Sequence, residues 1–337
     1  MDKHLKVSFF IALLVLVVIA GWRYQKSRNI QSAQEVVKVR IGTLNDFSAL
    51  DLLAHKQGYF AQEGLDVELK KYPNGRAELE DLVASKIDLG VAADFVGVRY
   101  MFSHDNLRVV TQVDSAELLS VYAKKASGIN KPEDLKGKKV GLIRKTGAEY
   151  LFGRFISLRD MTIQDITIID LPEDGIDYII PRLESGELDA VVPLDPRLDL
   201  LEKKMGDKLI SWSIQDSWKV FALAYTTSEY IQAHPGVIEK YLRALKRAEE
   251  YVQDHNMEAK KMIMDLLQFD QEFWDSTWPK HKYSLGYDQE LLVIMEDEAR
   301  WVIENKLTNR STVPNYLHVL NFEGLQKVKP ESIKIIQ

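Results

Sequence analysis

The 337-residue chain contains no cysteine. That absence excludes disulfides, thiolate metal sites, a cysteine nucleophile and a lipid-modified N-terminal cysteine. An excess of basic charge is missing too: 44 Lys and Arg stand against 50 Asp and Glu, a net charge of -6 with pI near 5.8. A nucleic-acid binder usually shows a basic face, so no nucleic-acid partner is expected. The seven histidines are scattered without metal-ligand spacing, and neither G-x-S-x-G nor H-E-x-x-H occurs. The sequence therefore points to no catalytic residue, no metal and no cofactor.

What is present is the composition of a globular protein, 46% apolar and 28% charged, with length for about two domains. The N-terminus stands apart. "MDKHLK" is short and basic, and "VSFFIALLVLVVIAGW" (Val7 to Trp22) follows without a charge. The run lies between the apolar stretch of a secretory signal, roughly 7–15 residues, and the roughly 17–25 of a spanning helix. Arg23, Lys26 and Arg28 follow at once, a poor context for cleavage. Residues 1–28 are read as a membrane anchor, with a cleaved signal as the alternative, and 29–36 as a polar tether. Either way the remainder is exported.

The chain carries an internal repeat. "VRIGTLNDFSALDLLA" from Val39 aligns with "KVGLIRKTGAEYLFG" from Lys139, placing Gly42 on Gly141, Asp46 on Lys145 and Ser48 on Gly147. "LVASKIDLGVAADF" aligns with "LESGELDAVVPLDP", placing Asp88 on Asp189 and Asp94 on Asp195. Short apolar strands alternate with helical segments in both copies, which implies α/β architecture with parallel strands. From "FALAYTT" onward the chain turns mostly helical, as expected of helices packing back onto the first domain.

In such a sheet, ligands bind beyond the carboxyl ends of the strands, where helix N-termini favour anions. The loops at those ends contain Asn45, Asp46 and Phe47, Asp94 and Phe95, Lys145, Thr146 and Gly147, and Asp195. Trp218 stands before the return strand as core or cleft wall. "GLIRKT" lacks the second glycine of G-x-x-x-x-G-K-[ST], so the loop is no nucleotide-hydrolysing P-loop. Asp46, Asp94 and Asp195 read equally well as helix N-caps. As ligand contacts, these carboxylates would favour an amine-bearing or zwitterionic solute over a bare anion, with Phe47 and Phe95 stacking on it.

"KVRIGTLNDFSALDLLAHKQGYFAQEGLDVELKKYPNG" resembles the opening of NMT1/THI5-like substrate-binding proteins of ABC importers for nitrate, sulfonates, taurine and thiamine precursors. "SGINKPEDLKGKKVGL", "LESGELDAVVPLDP" and "PGVIEKYLRALKRAEEYV" match later parts of that pattern in order. The resemblance implies a two-lobed periplasmic-binding-protein fold of type II character. Residues 37–123 and 219–337 would form lobe 1 and residues 124–218 lobe 2, with hinges near Ala123–Ser127 and Ser217–Phe221. It also implies a monomer that works with an ABC permease, and it extends the ligand loops to Ala148. The expected ligand is an aminosulfonate or a pyrimidine-type thiamine precursor. Two other functions stand as alternatives: a membrane-anchored ligand sensor, which the N-terminal run supports, and a pyrimidine-precursor synthase, which the resemblance allows. The synthase's catalytic cysteine motif cannot exist in this chain.

Overall fold

The computed structural model describes residues 36–172, 175–194, 198–216, 218–269 and 271–336. The expected anchor over 1–28, nearly all of the tether, and Asp195 lie outside them. Contacts divide the chain into Met1–Val37 and Lys38–Gln337, and the larger unit holds a two-stranded and a three-stranded sheet tied by a bridge into one layer, and a five-stranded sheet. Among the described residues no helix is long and apolar enough to cross a membrane.

The first sheet is built from β1 (Val37–Thr43), β2 (Leu65–Lys71), β3 (Gly90–Ala93) and β4 (Leu107–Ala116). The second uses β5 (Ser120–Lys124), β6 (Lys139–Leu142), β7 (Thr167–Asp170), β8 (Ala190–Val192) and β9 (Leu209–Ser213). The chain then returns to the first through β10 (Val220–Thr227), which runs antiparallel between β3 and β4. A parallel bridge from Ile41 to Leu89, with the Gly42 amide donating to the Leu89 carbonyl at 2.9 Å, ties β1 to the approach to β3. The first lobe therefore reads β2-β1-β3-β10-β4 and the second β7-β6-β8-β5-β9. In both, three strands from a βα repeat meet an antiparallel strand exchanged between the lobes.

The repeat extends to single atoms. Asp88 accepts the Arg40 amide at 2.7 Å, and Asp189 accepts the Lys139 amide at 2.9 Å. Each carboxylate accepts an amide of the first parallel strand of its lobe, β1 or β6, and the two correspond in the sequence alignment.

The lobes are joined at two crossings. The first lies between Ala116 and Ser120, ahead of the expected hinge at Ala123–Ser127, because β5 through Lys124 already pairs with β9 in the second sheet. The second lies between Ser213 and Val220.

The C-terminal helices cover the first sheet. Val237–Asp254 is amphipathic and lays its apolar face on Ala49–Lys56, where buried Tyr241 donates to Asp51 at 2.8 Å. The Gln289–Glu304 helix packs on Asp94–Met101, and its Asp297 accepts the hydroxyl of Tyr150 from the second lobe at 2.8 Å. The second lobe has its own core, in which Ile176, Ile180 and Leu183 from one helix face meet Val191, Leu201 and Met205.

Candidate functional site

A cavity of about 410 Å³ lies between the lobes at the carboxyl ends of their parallel strands, a size suited to a small organic solute. From the first lobe come Leu44 to Phe47 after β1, Asn74 and Gly75 after β2, and Ala93 at the end of β3. From the second come Tyr122, the Thr146–Gly147 turn after β6, and Pro193 and Leu194 after β8. Glu202 and the Gln271–Thr277 helix close one side, with Phe273 buried and Lys280 exposed.

The helix starts at Gly75 and at Gly147 both open on this cavity, and they differ. At Gly75 the side chain of Asn74 caps the helix by accepting the Ala77 amide at 3.0 Å. At Gly147 no side chain caps the helix. The Thr146 hydroxyl instead donates to the Ile143 carbonyl at 2.6 Å, and Glu149 accepts the amide of Lys145, whose φ is +66°. The loop is thus braced from behind; the Glu149 amide bonds back to the Thr146 carbonyl at 3.1 Å, and the Gly147 and Ala148 amides have no partner among the described residues. An added Cβ on Gly147 would meet nothing within 4 Å. Uncapped amides at the positive end of an 11-residue helix make an anion-favouring wall.

The opposite charge sits at Asp46. It is 4% exposed, and its Oδ2 lies 3.0 Å from Nε2 of His281, whose Nδ1 lies 2.5 Å from Asp114. Burial alone would lower the His281 pKa, but the Asp114 and Asp46 charges outweigh it and hold the imidazole up at about 10. Asp114 is itself fully buried, which raises its pKa against the pull of His281. The imidazolium stacks on Tyr283 with ring centroids 5.1 Å apart and meets the edge of Phe47 at 6.2 Å.

Of the residues expected at the site, Asn45, Asp46, Phe47, Thr146 and Gly147 share the cavity wall. Five others do not reach it. The Asp94 carboxylate turns inward, accepting the Phe221 amide at 3.0 Å and the Phe95 amide at 2.9 Å, and burial pushes it up to about 7. Phe95 is fully buried against Tyr150. Lys145 is exposed, Ala148 is buried behind the turn, and Trp218 packs under the Arg154 guanidinium, 4.1 Å from its ring. Asp195 falls outside the described residues.

The sequence reading did not single out Asn74 and Gly75, although Pro-Asn-Gly before "RAELEDLV" is a helix-start signal. Tyr122, Glu202 and His281 carry no local signal. Tyr122 reaches the wall through strand exchange and Glu202 on the helix after β8, while the return of the C-terminal chain sets His281 behind Asp46.

The pattern described as NMT1/THI5 like matches residues 45–259. A Bacillus subtilis protein named for binding aliphatic sulfonates is 22% identical over 281 residues, covering 80% of each chain. A 4-amino-5-hydroxymethyl-2-methylpyrimidine phosphate synthase of Saccharomyces cerevisiae is 24% identical over 228 residues, covering 63% of this chain and 65% of the synthase. Among solved structures, the alkanesulfonate-binding protein of Xanthomonas axonopodis bound to MOPS superposes with TM-score 0.71 at 17% identity. That match covers 86% of this chain and 99% of the other, and establishes the periplasmic-binding-protein fold. The chain belongs to the NMT1/THI5-like family.

Proposed function

We propose that this chain is an extracytoplasmic solute-binding protein that captures a small sulfonate carrying an amine and hands it to the permease of an ABC importer. The observation that carries the reading is the uncapped Thr146–Gly147 helix start, opening on a cavity walled by both lobes. A sulfonate offers three acceptor oxygens to such amides, and its charge matches the helix end. Relatives named for sulfonate binding favour this class over a pyrimidine precursor. A bound MOPS molecule in the Xanthomonas relative is itself a sulfonate with an amine.

Ligand capture by hinge closure suits two lobes joined by two short crossings. The uncharged run Val7–Trp22, with basic residues after it, favours retention at the outer face of the membrane by an uncleaved helix. The chain is read as a monomer and as a carrier, not an enzyme, since no cysteine is available for the synthase's motif. A thermal-shift screen with taurine, MOPS, nitrate and an aminopyrimidine tests the ligand class. A solute at 100 times its dissociation constant stabilises by about 2.7 kcal/mol, and a response to nitrate or the aminopyrimidine alone would overturn it.

A further inference from the structure

We propose that Asp46 receives the ammonium end of the solute, and that His281 and Asp114 are positioning residues that hold its carboxylate in place. This rests on the aminosulfonate reading above and names how the second end of the ligand is recognised. Asp46 lines the cavity, yet its side chain is only 6% exposed. One oxygen, Oδ2, is taken by His281. Oδ1 has no partner among the described residues and is not among the atoms sealed from solvent without one. It is therefore the oxygen left for a ligand donor.

The support behind it is rigid and charged. His281 is fully buried between Asp46 and Asp114 and stacked flat on Tyr283, with interplanar angle 2°. The charged groups facing the imidazole are Asp46 and Asp114, and the titratable Tyr283 lies with its ring flat on it. An imidazolium between two carboxylates leaves the triad with one net negative charge, and the member that meets the cavity is Asp46. Glu202 and Glu272 also line the cavity, but both are exposed, and Glu272 is paired with Lys203 at 2.5 Å. A charge-assisted bond in a nearly dry setting is the stronger one. The opposing wall, at Thr146–Gly147, takes the anion. The two ends would then be read by different lobes, so a zwitterion would favour closure where a plain anion satisfies one wall.

The test compares 3-aminopropanesulfonate with 1-propanesulfonate by titration calorimetry on the full chain, wild type and Asp46→Asn, with His281→Gln as the second variant. The wild type should bind the amine-bearing probe at least about tenfold tighter, the equivalent of one charge-assisted hydrogen bond. Asp46→Asn should bring the ratio of the two affinities down to near one. His281→Gln should shrink the ratio of the two affinities, a readout that general loosening of the fold would leave unchanged. A wild-type ratio near one, or an Asp46→Asn variant that keeps the ratio, overturns the subsite and leaves the sulfonate reading standing. A wild type that binds neither probe overturns both.

Discussion

Gln215 accepts the Leu119 amide hydrogen at 2.6 Å and, through its Nε2, donates to the Ala116 carbonyl at 3.0 Å. One fully buried side chain thus pins the outgoing crossing, while a further bond to the Trp218 carbonyl at 2.8 Å pins the returning one. Gln215→Leu should leave these backbone groups without their partner, at about 1–3 kcal/mol for each group that stays buried. Urea unfolding should show a lowered midpoint. Small-angle scattering should show a larger ligand-free radius, because the two crossings are no longer held in register.

Phe95 and Tyr150 stack across the lobe boundary at 5.3 Å, with Trp301 edge-on to both rings at 5.7 Å. Phe95→Ala should destabilise by about 3–5 kcal/mol, as buried aromatic truncations do. Its effect on ligand affinity in the fraction that stays folded should be small. A variant of wild-type stability that has lost binding would instead make Phe95 a ligand contact.

Glycine substitutions separate cavity from core. Gly147→Val places its side chain in open space at the cavity wall, so the protein should fold with near-wild-type melting temperature while binding weakens. At Gly97 an added Cβ would lie 2.1 Å from the Tyr225 hydroxyl. Gly97→Ala should therefore destabilise through overpacking by about 1–3 kcal/mol, read as a lowered melting temperature.

Stability should fall as pH rises, in two windows. Burial pushes Asp51 up to about 7 against a bond from Tyr241, and Asp94 up to about 7 as well, from an ordinary 3.8. Between these values the folded state holds protons that the unfolded chain has released, so stability declines as pH rises from about 4 to about 7. His281 is raised to about 10 from 6.5, so its contribution is complete below 6.5 and is lost as pH rises through 10. Asp51→Asn should flatten the lower window and His281→Gln the upper, read as urea midpoints across pH. A midpoint that rises from pH 4 to pH 7 would contradict the assignment.

The repeat was legible because backbone needs are local. Asp88 and Asp189 hold the same strand amide in each lobe, and a strand followed by a polar loop and helix writes itself into sequence. The cavity loops Asn45–Phe47 and Thr146–Gly147 were legible for that reason. Asp94 was not, since a carboxylate at a helix start looks alike whether it faces a ligand or the Phe221 amide. His281 was invisible: it meets Asp46 across 235 positions of chain, and no local pattern records that encounter. The first hinge was displaced because β5 reads as a continuation of the first lobe, while its partners, β8 and β9, lie far downstream.

The measurement that tests the account most directly is titration calorimetry of the full chain with an aminosulfonate series from taurine to MOPS, alongside nitrate, on the wild type and Gly147→Val. Saturable one-site binding of at least one aminosulfonate, weakened by Gly147→Val and absent for nitrate, is the result expected. Failure of every sulfonate to bind at millimolar concentration, or binding that Gly147→Val leaves untouched, would contradict it.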